Sequence, residues 1–338
     1  MIHARALTRE FRVGKETVEA VRGLDIDVGA GELVAFLGPN GAGKSTSLRM
    51  LTTLLPPTAG EATVAGHDIR RDSEAVRRRI GYVGQGHGAS DDQRGRDELV
   101  AQGRAYGLSG RRARERADEL IESMDLAAVA TRTANTLSGG QRRRLDIAIG
   151  MVHEPTLLFL DEPSTGLDPQ SRANLWDHLV RLRETHDTTI FLTTHYLDEA
   201  DAMAERVVVI DHGRVIADGT PETLKQGMAG DRVAIGVGDP AAAGRAAAIA
   251  ERVIGTNDAT TDGSMVRLRA ADGASAVPSL LRSLERAGIP ATSVEVRRPT
   301  LDDVFLELTG RSLRDEGDLT ATRSAGSAST SQTLEVAS

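Results

Sequence analysis

Gly38-Pro39-Asn40-Gly41-Ala42-Gly43-Lys44-Ser45-Thr46 follows the spacing G-x-x-x-x-G-K-[ST] in full. Glycines so placed let successive backbone N–H groups curl around an anion. A helix opening just behind them adds its dipole, Lys44 a point charge for the β and γ phosphates, and Ser45 a hydroxyl for Mg²⁺. An ordinary Gly-rich turn is the bland alternative. Leu157-Leu158-Phe159-Leu160-Asp161-Glu162 is an apolar run that ends in two carboxylates. Alone, such a pair reads as solvated loop. On a second strand of a phosphate-binding fold, Asp161 would hold Mg²⁺, directly or through water, and Glu162 would polarise the attacking water as general base. Leu137-Ser138-Gly139-Gly140-Gln141 is a second phosphate-binding shape, hydroxyl plus backbone N–H groups ahead of a helix, and a plain helix N-cap fits it too. The Arg142-Arg143-Arg144 run behind it reads as a solvated helix face.

The elements that must carry these residues are short buried strands and longer amphipathic helices. Leu33 to Leu37, Leu157 to Leu160 and Thr189 to Thr193 are strand-sized apolar runs; Ser47–Leu54 and Arg172–Glu184 read as helices. Ala113, Ala117, Leu120, Ile121 and Met124 recur at helical spacing. Strand, helix, strand implies a parallel sheet in an α/β layer fold. Composition shifts near Met228. Beyond it the pattern predicts strand 232–237, helix 241–254, strand 256–261, a turn at Asp262-Gly263, strand 265–270, helix 275–287 and strand 292–297, a βαββαβ order of ferredoxin-like type. A small helix over Leu301–Leu308 follows. The expected organisation is a nucleotide-binding domain over 1–228, an accessory or dimerisation domain over 229–310, and a disordered tail over 311–338, which is rich in Ser, Thr, Ala and Gly.

Composition narrows the partners. The 338 residues carry a net charge of −8, which argues against nucleic acid as an obligatory partner. Cys 0 removes disulfides, thiolate metal sites and a cysteine nucleophile. The histidines are scattered and suggest no metal site. No apolar run is long enough to cross a bilayer, and the N-terminus lacks a signal-peptide stretch. The isolated chain reads as soluble and cytoplasmic, so any membrane role needs a partner.

Taken together the motifs resemble the ATP-binding subunits of ABC transporters. Leu137–Gln141 matches the signature of that superfamily, beside the phosphate-binding loop and the strand ending at Asp161. Gln85, after Gly81-Tyr82-Val83-Gly84, resembles the Q-loop glutamine that contacts Mg²⁺ or water. Ser164 to Asp168 resembles the D-loop, and His195, after Leu192-Thr193-Thr194, the switch histidine. Phe11 stands where the family places an aromatic residue that stacks on adenine. Read without the family, Phe11 is core, Gln85 a loop residue, His195 a buried histidine and Asp168 a turn or cap residue. The resemblance spans Ile2 to Thr223. Arg298 to Gly310, Arg142–Ala148, Thr193–Ala202 and Arg94–Leu99 resemble a narrower group, the daunorubicin-resistance-type exporters.

What the resemblance implies is an ATPase whose nucleotide lies between two cassettes packed head to tail. Ser138, Gly139, Gly140, Gln141 and Asp168 of one copy would complete the site of the other. The working unit would be a homodimer on two copies of a separate membrane permease, peripheral on the cytoplasmic side of the cell membrane. The segment from Gly86 to Gly107 would receive the permease. Non-transport ATPases of the superfamily carry two cassettes or long coiled coils, and this sequence has neither. A non-catalytic cassette would be expected to lack Glu162, His195 or the signature, and all are present.

Overall fold

The computed structural model describes residues 1–228 and 230–310. They form two compact units that divide after Gly219. The composition shift near Met228 falls nine residues later, and the expected tail over 311–338 lies outside the described residues.

The first unit runs β1 (Ile2–Val13), β2 (Glu16–Val28), β3 (Leu33–Leu37), α1 (Lys44–Leu51), β4 (Ala59–Val64), β5 (His67–Asp68), α2 (Ser73–Arg79), β6 (Ile80–Val83), α3 (Gly95–Ala105) and α4 (Gly110–Ser123). It continues with α5 (Gly139–Gly150), β7 (Leu157–Asp161), α6 (Pro169–His186), β8 (Thr189–Thr194), α7 (Leu197–Met203), β9 (Arg206–Asp211) and β10 (Arg214–Gly219). The six-stranded sheet has the order β10-β9-β3-β8-β7-β6 and is parallel except for β10 at its edge. Strands β3, β7 and β8 are buried along their whole length, as expected where both faces of a parallel sheet are covered. A second, antiparallel sheet has the order β2-β1-β4-β5. One apolar core joins them: Ile2, Leu24 and Val64 from the antiparallel sheet, Leu48 and Leu51 from α1, and Phe36, Phe159 and Phe191 from the parallel one. The α/β fold read from the alternating elements is therefore present, with a mixed sheet.

Two helices begin earlier than the apolar pattern suggests. α1 opens at Lys44 because Gly43, at φ +103°, turns the chain from the loop straight into the helix. It ends at Leu51, where Thr52 Oγ1 donates back to Leu48 O and Thr53 adopts φ +64°; Leu54 is left exposed. α6 opens at Pro169, capped by Asp168, whose Oδ1 accepts from Ser171 N at 2.9 Å. α4 buries Ala113, Ala117, Leu120 and Ile121, the face its periodicity predicts. α6 buries Trp176, the single tryptophan of the chain, to 2% exposure.

The second unit contains α8 (Pro221–Met228), β11 (Asp231–Val237), α9 (Ala243–Ile254), β12 (Thr260–Asp262), β13 (Met265–Ala270), α10 (Gly273–Arg286), β14 (Ala291–Arg297) and α11 (Leu301–Thr309). Its sheet order is β12-β13-β11-β14 with every pair antiparallel, the ferredoxin-like order. Val233, Ile235, Val266 and Leu268 face Ala246, Ala250, Leu280 and Leu284 of α9 and α10 in a core of its own. Leu301, Val304 and Phe305 are the buried face of α11.

Candidate functional site

The loop 38–43 leaves the C-terminal end of β3, where open parallel sheets place their ligands. Asn40 and Gly41 are exposed, and Gly38, Pro39, Ala42 and Gly43 are buried. The loop is braced from two sides. Ala42 O accepts from Gly213 N at 2.9 Å, and Gly213 O accepts from Arg22 N at 2.8 Å. A Cβ on Gly43 would lie 2.5 Å from Ala20 O, so backbone approach as well as φ demands glycine there.

Lys44 is 4% exposed and folds back over the loop. Its Nζ donates to Gly38 O at 2.7 Å and Pro39 O at 3.1 Å and lies 3.2 Å from Glu162 Oε1. Glu162 follows the last residue of β7 at φ +47°, a rare conformation for a residue with a side chain. Its N–H donates to Thr193 Oγ1 at 2.9 Å. Its other oxygen, Oε2, sits 3.2 Å from His195 Nδ1. Burial would raise the Glu162 carboxyl, but the His195 imidazole and the Lys44 ammonium outweigh it and bring it down to about 2. Thr165 Oγ1 also donates to Oε2, at 3.2 Å.

Ser45 Oγ donates to Asp161 Oδ1 at 3.0 Å, Thr193 Oγ1 donates to the same oxygen at 2.7 Å, and Gln85 Nε2 reaches Ser45 Oγ at 3.3 Å. Asp161 Oδ2 is buried and has no hydrogen-bond partner among the described residues. A buried carboxylate oxygen left over beside a hydroxyl and an amide fits a hard cation of Mg²⁺ type. No group of three or more His, Cys, Asp or Glu able to cage a metal exists among the described residues. A cation here would therefore draw its other ligands from phosphate and water.

Lys44, Ser45, Gln85, Asp161, Glu162 and His195 thus converge, with Thr46 one residue further along α1. Phe11, Ser138, Gly139, Gly140, Gln141 and Asp168 have no hydrogen bond or ion pair with this cluster among the described residues. Phe11 lies on the β1–β2 hairpin, opposite Val18, with the Arg9 guanidinium 4.7 Å from its ring centroid. Ser138 caps α5 in a capping box: its Oγ accepts from Gln141 N at 3.3 Å, and its N–H donates to Gln141 Oε1 at 3.0 Å. Gly139 lies against Leu167, and Gly140 so near Ser171 that a Cβ would stand 2.9 Å from Ser171 Oγ. Asp168 is exposed and held low by Ser171, whose hydroxyl and N–H both donate to it.

The arginine run is not a solvated face. Arg143 is 5% exposed, and Arg142 and Arg144 side chains are largely covered. Arg142 reaches Ala89 O and Asp91; Arg144 reaches Met124 O at 2.8 Å. The segment after Gln85 is likewise tied down, because Asp146 Oδ1 accepts from Gly88 N at 2.9 Å and Ala89 N at 3.1 Å. Thr193, Arg143 and Asp146 were not among the expected site residues. A threonine ending the apolar run Ile190-Phe191-Leu192 is the signal that marks Thr193.

The family model described as ABC transporter matches residues 21–165, and the model described as the C-terminal domain of DrrA1-3-like ATP-binding proteins matches residues 219–309. The chain is 48% identical to the daunorubicin resistance ATP-binding protein DrrA3 of Streptomyces coeruleorubidus, over 86% of this chain and 92% of the relative. It is 45% identical to the daunorubicin/doxorubicin resistance ATP-binding protein DrrA of Streptomyces peucetius, over 88% of this chain and 89% of the relative. Among solved structures, the dimeric post-hydrolysis state of the ATP-binding cassette MJ0796 bound to ADP and Pi matches with a TM-score of 0.60 and 27% identity, covering 65% of this chain and 98% of that one.

Proposed function

We propose that this chain, which belongs to the family of ATP-binding subunits of ABC transporters, hydrolyses ATP at the Lys44–Glu162–His195 cluster to drive export of a drug, antibiotic or related hydrophobic compound through a separate membrane subunit. The observation that carries this reading is the convergence of a buried cation, an ionised carboxylate and a second carboxylate with an unpartnered oxygen at the head of one phosphate-binding loop. The export cargo rests on the relatives, which are resistance proteins.

Each residue then has a task. Backbone N–H groups from Gly38 to Thr46 and the N-terminus of α1 receive the phosphates, and Lys44 neutralises them. Ser45, Asp161 and Gln85 would hold Mg²⁺, which when bound would supply positive charge to the phosphates. Glu162, ionised at neutral pH, accepts a proton from the attacking water, and His195 orients the γ-phosphate. Phe11 stacks on adenine. Ser138, Gly139 and Asp168 are exposed, Gly140 and Gln141 are half-buried, and none of them is bonded to the Lys44 cluster among the described residues, which supports their serving a second copy in a head-to-tail homodimer. The dimeric relative is in keeping with this. Two permease copies would complete the transporter, with this chain peripheral on the cytoplasmic side. No helix among the described residues is long and apolar enough to cross a membrane. The domain boundaries we adopt are 1–219 for catalysis and 220–310 for dimer support or control of closure.

The test is Glu162→Gln in the full chain. Nucleotide affinity should persist while turnover falls by about 10²-fold or more, with a MgATP-dependent dimer on light scattering. Wild-type turnover would remove Glu162 as the base.

A further inference from the structure

The Arg143 guanidinium is buried on α5 and forms no ion pair among the described residues. Each of its nitrogens donates to a different backbone carbonyl: Nη1 to Gly84 O at 2.7 Å, Nε to Pro163 O at 2.9 Å and Nη2 to Asp161 O at 3.1 Å. A buried cation whose hydrogen bonds all go to carbonyls, with Asp146 and Asp161 only as charges at longer range, is costly for stability, and an apolar side chain would fill the volume without that cost. The carbonyls chosen are informative. One belongs to the residue before Gln85. The other two flank Glu162 on either side.

Glu162 needs such a grip. Its φ of +47° is unfavourable for a residue with a Cβ and persists only where the surroundings over-determine it. Arg143 holds the carbonyls before and after it, while Thr193 Oγ1 accepts its N–H. One turn further along α5, Asp146 Oδ1 accepts two N–H groups from Gly88 and Ala89, and His87 Nδ1 lies 3.2 Å from Oδ2. α5 therefore grips the chain on both sides of Gln85, and its own N-terminus begins at Ser138.

We propose that Arg143 is a positioning residue for ATP hydrolysis: its guanidinium sets the Glu162 carboxylate and the Gln85 loop relative to one another and to the helix that opens at Ser138. It acts through the backbone of its neighbours. The proposal rests on the reading of Glu162 as general base.

Full-length Arg143→Lys and Arg143→Gln are compared with Glu162→Gln and with the double variant Arg143→Lys/Glu162→Gln. Steady-state kcat and KM, TNP-ATP affinity and melting temperature are measured for each. A misplaced base costs rate rather than binding, so kcat should fall at least about tenfold in both single variants. KM and TNP-ATP affinity should stay within about twofold. The lysine keeps the charge but not the fork, and it should not restore the rate. In the Glu162→Gln background, Arg143→Lys should cost less than it does in the wild type, since the part of its effect that runs through the carboxylate is already gone and only the part through the Gln85 loop is left. Wild-type kcat in either folded variant, or a parallel loss of TNP-ATP affinity and kcat, overturns the proposal. Arg143→Lys carries the test if Arg143→Gln does not fold. An active Glu162→Gln would fell the base reading and this proposal together. An inactive Glu162→Gln beside an active Arg143→Lys would fell this proposal alone.

Discussion

Lys44 and Glu162 face each other where water is nearly excluded, with side chains 4% and 9% exposed. Each offsets part of the other's buried charge, beside the two carbonyls that Lys44 reaches and the His195 and Thr165 groups at Glu162, and removing one member of such a pair costs up to about 3–5 kcal/mol. Lys44→Met should therefore do more than weaken ATP binding; it should also destabilise the nucleotide-free chain. The double variant Lys44→Met/Glu162→Gln should be less destabilised than the two singles together, with a coupling of about 1–3 kcal/mol in urea denaturation. Strict additivity would mean that the pair is not formed in solution. The spacing of the sequence identifies Lys44, Ser45, Asp161 and Glu162, since each lies within a local motif. Arg143 is invisible at that level. Its carbonyl partners come from segments 18 to 59 residues away, and nothing in a run of three arginines says which one the fold will bury.

At the level of elements, α5 and α6 meet at their first turns. A methyl group on Gly140 would push against Ser171 Oγ and Cβ at 2.9 and 3.0 Å, and that hydroxyl donates to Asp168 at 2.6 Å. Gly140→Ala should shift Ser171 and Asp168 together. We expect ATPase activity to drop about tenfold or more with TNP-ATP affinity intact, because in the proposed head-to-tail dimer the altered surface serves the opposite copy. α6 is also bound to α4 and α5 through His178, which is 5% exposed. Its Nδ1 lies 3.1 Å from Ser123 O, and Arg144 and Arg181 lie within 3.1 Å of its ring nitrogens. Burial, then Arg144 and Arg181, push this imidazole below its usual value. Folding therefore keeps it neutral while the unfolded chain takes up a proton near 6.5. Its contribution is full above that pH and fades as the pH falls. The stability gap between wild type and His178→Gln should be wider at pH 7.5 than at pH 5.5; an equal gap would show that His178 does not titrate on unfolding. The periodicities predicted the βαββαβ order of the second unit, because its strands alternate cleanly around Val233, Ile235, Val266 and Leu268. They missed the opening of α1 and α6, where Gly43 and Asp168 set the start and neither is apolar.

For the molecule as a whole, the division after Gly219 matters more than the composition shift near Met228. α8 packs on α11 within the second unit, so a chain cut at Met228 keeps a helix without its partner. A chain ending at Gly219 should fold, bind TNP-ATP and hydrolyse ATP at a basal rate. Loss of MgATP-dependent dimerisation in that fragment would assign dimer support to residues 220–310, and unchanged dimerisation would refute it. The placement of the only tryptophan makes the two units separable by light. Trp176 belongs to the first unit, on the buried face of α6, and the second contains neither tryptophan nor tyrosine. Indole emission during a thermal melt follows the catalytic unit alone, while far-ultraviolet ellipticity follows both. A lag between the two traces would measure, in one unlabelled sample, how much of the ellipticity change belongs to a unit with no chromophore of its own in that optical window.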